Sequence, residues 1–470
     1  MNRRLVCVVT VSCATALGCS SSPPSATDDA AWRFAPLAGS AYDAVGVDAS
    51  DPSALHAAPW RLPPGFTQRV IADESALNLY TKTTCEQFGD GRFSRGSDWP
   101  DMMTVNETGA SAGRYLYRTH EVRPFLYDSK CQPNVPASEQ AVSDFRAEGG
   151  GAVTVIDLQT GDGRVLLQRS DFEGLDGLMW TPWGTLLFAE EAIDVEVPDA
   201  TVTNAKSGLV YEARLDPQDP RQVLDVTVRP QLGSLAHEGL EIDAQGSIYV
   251  VDEYKTGSVY RFVPARRGDL SAGQLYALKV DSATKRGAAK WVALDMKLAQ
   301  VRARDAAVAV GATPYCRPED MERIADTLYV ALTCEDVSDP TSTKGAGAVL
   351  AVALGEQPEV SYFVGAGDNI PRENREQGIT GLKSPDNLVA GSDGRLWIVE
   401  DNVPSDIWVA EPDRNGDGRA DKVSLFASLQ DPWAEGTGLY FSPDHKTLYV
   451  NVQHSRTGSD RTIAIVPGAR

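Results

Sequence analysis

Six stretches of the chain repeat one arrangement of polar and apolar positions. GRYLYRTHE ends at Glu121, GTLLFAEE at Glu191, GSIYVVDE at Glu253, DTLYVALTCE at Glu335, GRLWIVED at Asp401 and KTLYVNVQH at His454. Each opens on a glycine or polar turn, runs through β-branched and aromatic residues, and stops at a polar residue. Short apolar runs bounded in this way predict strands. Their third positions, Tyr115, Leu186, Ile248, Leu328, Leu396 and Leu448, are separated by 71, 62, 80, 68 and 52 residues. A unit of that length holds about four short strands and their loops, repeated about an axis. The pattern predicts an all-β chain, a six-bladed β-propeller, with a β-sandwich of longer loops as its rival. Helical periodicity is scarce. Its clearest instance, DMKLAQVRARDAAVAV from Asp295 to Val310, falls in the longest step and predicts a helix inserted in a loop.

Acids stand at the ends of these strands. In HEGLEIDAQGSIYVVDE, a strand over 239–242, a DAQG turn and a returning strand bring Glu238 and Asp252 to one open end, on strands about 4.8 Å apart. Asp176 precedes Leu186 by ten residues, and Glu190 and Glu191 follow it. Glu319 precedes Leu328 by nine, Asp386 precedes Leu396 by ten, and Glu435 precedes Leu448 by thirteen. In a propeller all these ends face one mouth, where crowded carboxylates repel and take up protons. Bound hard cations such as Ca²⁺ relieve that repulsion. Glu121, Asp176, Glu191, Glu238, Glu319, Asp386 and Glu435 are therefore expected metal ligands; the competing reading is a set of solvated loop acids.

Charge narrows the chemistry. Sixty-five acidic against 44 basic residues give a net charge of −21, which disfavours nucleic acid and anionic membrane surfaces. An anionic substrate would need bound cations to reverse the local sign. The first 18 residues, MNRRLVCVVTVSCATALG, read as an export signal with a basic start and an apolar stretch too short to span a membrane. Ala16-Leu17-Gly18-Cys19 resembles a lipoprotein box, so Cys19 is the expected site of a lipid anchor. Residues 19–60 then form a polar tether and N-terminal extension, and 61–470 the propeller. The expected location is the cell envelope, outer membrane or periplasm, with simple secretion as the alternative. Cys85, Cys131, Cys316 and Cys334 remain after the leader, enough for two disulfides with three connectivities. Cys316 with Cys334 is favoured because they flank one predicted hairpin, which leaves Cys85 with Cys131.

DRNGDGRAD carries a second candidate cation site. Asp413, Asn415, Asp417 and Asp421, with the carbonyl of Arg419 and Gly418 at the sharp turn, match the opening of a calcium loop. The last acid comes at position nine, not twelve, so the expectation is a short structural calcium loop between strands. GASAG, from Gly109 to Gly113, fits G-x-S-x-G in letters only. A strand follows it directly, whereas a nucleophile elbow precedes a helix, so Ser111 reads as a turn residue.

Several segments together resemble the PhoX-type alkaline phosphatases, a family of secreted bacterial enzymes. They are RTHE (118–121), TPWGTLLFAEE (181–191), AHEGLEID (236–243), SVYRFVP (258–264), GDLSAGQLYALKV (268–280), GATPYCRPEDME (311–322), SPDNLVAGSDGRLWI (384–398) and EGTGLYFSPDHKTLYVNVQH (435–454). The resemblance runs from about residue 98 to the end and implies phosphomonoester hydrolysis at a calcium- and iron-holding cluster on a propeller. It places Glu121, Glu191, Glu238, Glu319 and Glu435 among the ligands, Arg317 on the phosphoryl oxygens, and His237 or His120 near the leaving group or a metal. Two positions depart from the family. Asp176 stands where an iron-binding cysteine is usual, which favours harder ions over Fe³⁺. Ala236 stands where a lysine often precedes the His-Glu pair.

The reading is an exported metal-dependent phosphomonoesterase acting on small phosphate esters with several Ca²⁺ ions, as a monomer. The alternatives are a non-catalytic calcium propeller that binds a partner or envelope polymer, and another propeller metal hydrolase such as a lactonase.

Overall fold

The computed structural model describes residues 31–41, 52–74, 99–121, 151–169, 171–191, 207–366, 381–402, 405–431, 434–455 and 459–468, with a two-rung ladder at 126–127 and 133–134. Cys7, Cys13, Cys19, Cys85 and Cys131 lie outside these residues, and with them the leader, the lipid-anchor site and one expected disulfide.

Among the described residues the regular structure is mostly antiparallel strands. All six patterned segments form the second strand of a four-stranded unit: Tyr115–His120, Thr185–Glu190, Ile248–Val251, Thr327–Leu332, Leu396–Glu400 and Leu448–Gln453. The first strands are Pro100–Val105, Leu175–Trp180, Leu240–Ile242, Pro318–Ile324, Pro385–Ala390 and Glu435–Phe441. Each first strand neighbours the next, and the sixth returns to the first, so they close a ring. The sixth unit is completed by Phe66–Asp73, which pairs with the last strand, Arg461–Pro467. The third and fourth units are fused into one nine-stranded sheet by the extra strand Gly287–Ala293.

The second strands are apolar on both sides because every unit is covered on both faces. In Thr185–Glu190, Leu186 and Phe188 pack toward Tyr117 and Val153 of the first unit. The alternate residues Leu187 and Ala189 pack toward Leu240 and Val250 of the third. A run without polar alternation is what two buried faces require. Burying a side chain such as Phe188 stabilises the fold by about 1.5–3 kcal/mol, so no one contact dominates. Trp32 and Trp60, from the expected extension, sit 3% and 1% exposed in the cluster between the fifth and sixth units.

The inserted helix appears where periodicity placed it, at Met296–Val310. Asp295 caps it by accepting the Lys297 and Leu298 amides, and Gly311 ends it in the left-handed conformation. Its alanine stripe, Ala299, Ala303, Ala306 and Ala307, packs on Leu232, Leu235 and Leu275.

Candidate metal centre

The six first strands begin alike. An acid stands at or just before the start of each: Asp101, Asp176, Glu319 and Asp386 are second in their strands, Glu435 is first, and Glu238 lies two residues ahead of Leu240. Near that acid the ladder slips by a bulge, between Pro100 and Met103, Pro318 and Met321, and Pro385 and Leu388. A bulge breaks the alternation of the pleat and re-aims the side chain. Small residues follow where neighbouring strands come closest. A Cβ on Gly177 would overlap the carbonyl oxygen of Glu238, and one on Gly239 would overlap Asp320 and the Met321 amide. Glycine at these positions lets adjacent units touch, which brings acids of different units within reach of one another.

The second strands explain why acids come in pairs. On a strand, consecutive side chains point to opposite sides. Glu190 accepts the backbone N–H groups of Glu173 and Leu209, and Glu400 accepts those of Lys383 and the Trp408 indole. Asp252 accepts the Ala236 amide and a two-pronged ion pair from Arg304 of the inserted helix, at 2.6 and 2.7 Å. These first members of each pair hold loops. The next residues, Glu191, Glu253 and Asp401, turn instead to the ring of inner acids.

Three groups of carboxylates each offer oxygens within 4.8 Å of one another: Asp101, Glu121 and Asp176; Glu191, Glu238 and Glu253; and Glu238, Glu319 and Asp386. Glu238 belongs to the last two, which it joins across units two to five, and the charge of Asp176 acts on Glu238 and so ties in the first group. Glu435 joins them electrostatically, raising the proton affinity of Asp101 and Asp386. Burial first, and neighbouring acids second, push Asp101, Glu238 and Asp386 well above the carboxylate range. Burial pushes Glu319 up to about 8, with Arg317 opposing it, and pushes Glu253 up to about 7. One oxygen each of Asp101 and Asp176 is buried with no hydrogen-bond partner. An unpartnered buried carboxylate oxygen is costly, and a hard cation is the partner that several such oxygens fit.

All seven expected mouth ligands are thus brought to one place. Asp101, Glu253, Asp401 and His454 belong there too, beyond those seven. His454 lies 3.2 Å from Glu435, whose raised proton affinity from burial it partly offsets. Asp101 follows proline at the start of its strand, as Glu319 and Asp386 do, but it precedes Tyr115 by fourteen residues, outside the nine to thirteen of the expected acids.

Arg317 stands over the cluster. Its Nε is 2.7 Å from Glu253 and 3.1 Å from Glu319, and its Nη1 is 3.0 Å from Asp401. Burial would weaken its charge, but Glu319, Glu253 and Asp401 more than offset this and hold the proton more firmly than usual. It is a fixed cation facing three units.

The histidines are a correction. His120 is fully buried, with Nε2 2.8 Å from the Thr154 hydroxyl and Nδ1 3.8 Å from Glu74, inside the first unit. His237 is fully buried, with Nε2 3.1 Å from the Gly233 carbonyl, and burial lowers its pKa to about 4, so it stays neutral. Each precedes a mouth acid by one residue and therefore faces the other way. Neither belongs to the three carboxylate groups found among the described residues. Asp252, expected beside Glu238, is likewise tied to Arg304, and Glu335 faces Lys285 and Tyr362.

The DRNGDGRAD loop folds back on itself. Asp413 accepts the amides of Gly416, Asp417 and Gly418, Asn415 accepts that of Asp417, and Asp417 that of Arg419. Asp421 faces Arg414, and the loop's acids do not form a three-acid group among the described residues. Gly109–Gly113 is a turn, as expected, with Ser111 bonded to Asn106. Cys316 and Cys334 form a disulfide with Cα atoms 5.1 Å apart, as the hairpin placement predicted.

Comparison with known proteins adds a family. The fold matches PhoX of Pseudomonas fluorescens, solved with vanadate as a transition-state analogue, at a TM-score of 0.62 and 19% identity over 92% of this chain and 97% of that one. A gluconolactonase from Xanthomonas campestris aligns at a TM-score of 0.42 and 14% identity, over 88% and 92% of the two chains, too distant to carry an argument. A search of curated proteins by sequence finds no match. Residues 179–456, more than half of the chain, match the family described as alkaline phosphatase PhoX. The span includes Glu191, Glu238, Arg317, Glu319, Asp386 and Glu435, so the fold, the acidic mouth and the family agree: the chain belongs to the PhoX alkaline phosphatases, which are phosphoric monoester hydrolases.

Proposed function

We propose that this phosphatase works with several hard cations held by the ring of acids at the mouth, and that Arg317 recognises the phosphoryl group. The observation that supports it most is the shared position of Glu238 between two carboxylate groups, beside buried unpartnered oxygens of Asp101 and Asp176. Asp101, Glu121 and Asp176 would hold one ion; Glu191, Glu238 and Glu253 another; and Glu238, Glu319 and Asp386 a third. The all-oxygen donor set suits Ca²⁺ and other hard ions, and the acid at position 176 argues against a thiolate-bound iron. Bound cations would supply Lewis-acid polarisation of the phosphoryl oxygens and an activated water.

The protein's own residues do the rest. With the acids neutralised by cations, the mouth changes sign and admits a dianion that a net charge of −21 would otherwise repel. Arg317 keeps its proton at alkaline pH, and its planar fork suits two phosphoryl oxygens, which gain negative charge in the transition state. Glu253 and Asp401 orient that fork. His454 stands at the rim, 3.2 Å from Glu435. The substrate class is a small phosphate monoester. The leader and Cys19 would deliver the protein to the cell envelope as a lipoprotein; Cys19→Ala should release it into the soluble fraction.

The test is hydrolysis of an aryl phosphate at alkaline pH by the full chain. Activity should vanish with a calcium chelator and return with added Ca²⁺, and Arg317→Ala should lose about 10²-fold in kcat/KM. Activity that survives exhaustive chelation, with no metal bound, would sink the proposal.

A further inference from the structure

We propose that the Cys316–Cys334 disulfide, with the buried carboxylate of Glu335, is a positioning device for Arg317. This rests on the phosphate-binding role given to Arg317 above. The backbone at Arg317 is unusual: its φ is +46°, in the left-handed region that side-chain-bearing residues avoid. Something must hold it there, and the structure shows contacts on every side. The Arg317 amide donates to the Tyr254 carbonyl at 2.9 Å, and its carbonyl accepts the Thr333 amide at 3.0 Å. The preceding residue is covalently fixed to Cys334. The Cys316 amide donates to Glu335 Oε2 at 2.9 Å.

Glu335 is itself immobilised. It is 1% exposed, and Lys285 Nζ at 2.8 Å and the Tyr362 hydroxyl at 2.8 Å both donate to its Oε1. The regular ladder between the two strands ends at Pro318 and Leu332, so the residues that carry Arg317 lie just beyond it. There the disulfide adds a covalent link to the two backbone hydrogen bonds, Thr333 to Arg317 and Cys334 to Cys316, that still join the strands. The consequence is geometric. The guanidinium contacts acids of three different units, Glu253, Glu319 and Asp401, and must keep one orientation to serve all three. Releasing its backbone would let the residue relax toward ordinary φ and swing the fork away from the cluster. A displacement of about 1 Å at a recognition group can cost about 10²-fold in rate.

The experiment is a double-mutant cycle on the full chain loaded with Ca²⁺. It compares the wild type, Cys316→Ser with Cys334→Ser, Arg317→Ala, and all three substitutions together. The readouts are kcat/KM for an aryl phosphate, the inhibition constant for inorganic phosphate, bound metal per chain, and thermal midpoint. Loss of the disulfide should lower kcat/KM by about 10- to 100-fold and weaken phosphate inhibition, with bound metal unchanged. In the Arg317→Ala background the same cysteine changes should cost less than about twofold, because the residue they position is gone. Equal losses in both backgrounds, or a loss that tracks departing metal, would overturn the positioning role alone. An Arg317→Ala protein as active as the wild type would remove the phosphate-binding reading and this proposal with it. Should the serine pair not fold, thiol reduction and re-oxidation of the wild type, with Arg317→Ala as control, gives the same readout. Reduction that lowers activity only where Arg317 is present supports the proposal, and reduction without effect overturns it.

Discussion

The same six inner strands make two very different ends of one channel. At the mouth they present Asp101, Asp176, Glu238, Glu319, Asp386 and Glu435. A few residues further on they present Met103, Leu178, Leu240, Met321, Leu388 and Leu439, all buried, around a cavity of about 270 Å³. The apolar residue follows the acid by two positions in five units and by four in the sixth, yet one ring gathers carboxylates and the other gathers apolar side chains. The mouth carries groups that destabilise the folded chain unless something neutralises them. The apolar ring needs no partner, although Glu241, Asp320, Glu322 and Arg323 line the same cavity. Function and stability are therefore separated along a single strand.

Substitutions at the two ends should separate in the same way. The largest effect is expected from Glu238→Gln, which removes a ligand shared by two groups. Activity should fall by about 10³-fold, several kcal/mol of transition-state stabilisation, while the metal-free protein becomes more heat-stable at pH 8. Assays of turnover and melting on the same preparation check both halves, and a metal-free variant less stable than the wild type would contradict the repulsion argument.

Next comes Leu388→Ala in the apolar ring. It should cost about 2–5 kcal/mol of stability by denaturant unfolding and leave kcat per folded molecule within a factor of about two. A selective loss of kcat there would blur the division between the ends.

The pH dependence of the metal-free protein follows from the mouth. In the unfolded chain its carboxylates release protons near pH 4.3, roughly, whereas in the fold Glu253 and Glu319 keep theirs to about 7 and about 8. Between those values the folded state binds more protons, so stability is fully present at about pH 4 and is lost as pH rises to about 8. The thermal midpoint of chelated protein should therefore fall from pH 5 to pH 8.5, and Ca²⁺ at pH 8.5 should restore it. A midpoint that rises over this range would show that the acids are not crowded.

The smallest effect belongs to His237→Gln. It should cost about 1–2 kcal/mol by loss of a buried hydrogen bond and leave KM unchanged. A change in the pH profile of kcat would return this histidine to the reaction.

Much of this was legible in the sequence, and for identifiable reasons. Apolar runs between turns gave the second strands, and their spacing gave the repeat. The acid before each hairpin gave five of the seven expected ligands, and the ends of RTHE and FAEE gave Glu121 and Glu191. What failed was adjacency. His120-Glu121 and His237-Glu238 look like joint sites when read as letters, but neighbours on an extended chain point apart, and one of each pair is packing. The same rule hid the division of labour in Glu190-Glu191, Asp252-Glu253 and Glu400-Asp401. Arg304 could not be foreseen as the partner of Asp252, because helix and strand meet only in the tertiary structure, 52 residues apart. The disulfide was readable because Cys316 and Cys334 close a single hairpin.

The sixth unit borrows its outer strand from the start of the chain, where residues 66–73 lie against 461–467. The ribosome delivers these two segments nearly four hundred residues apart, so the circle stays open until the last strand emerges. Glu435 reaches the others only at that moment. Cation loading should consequently be a late event in biogenesis, and a chain cut short before its final strand should arrive as an open arc with an incomplete mouth.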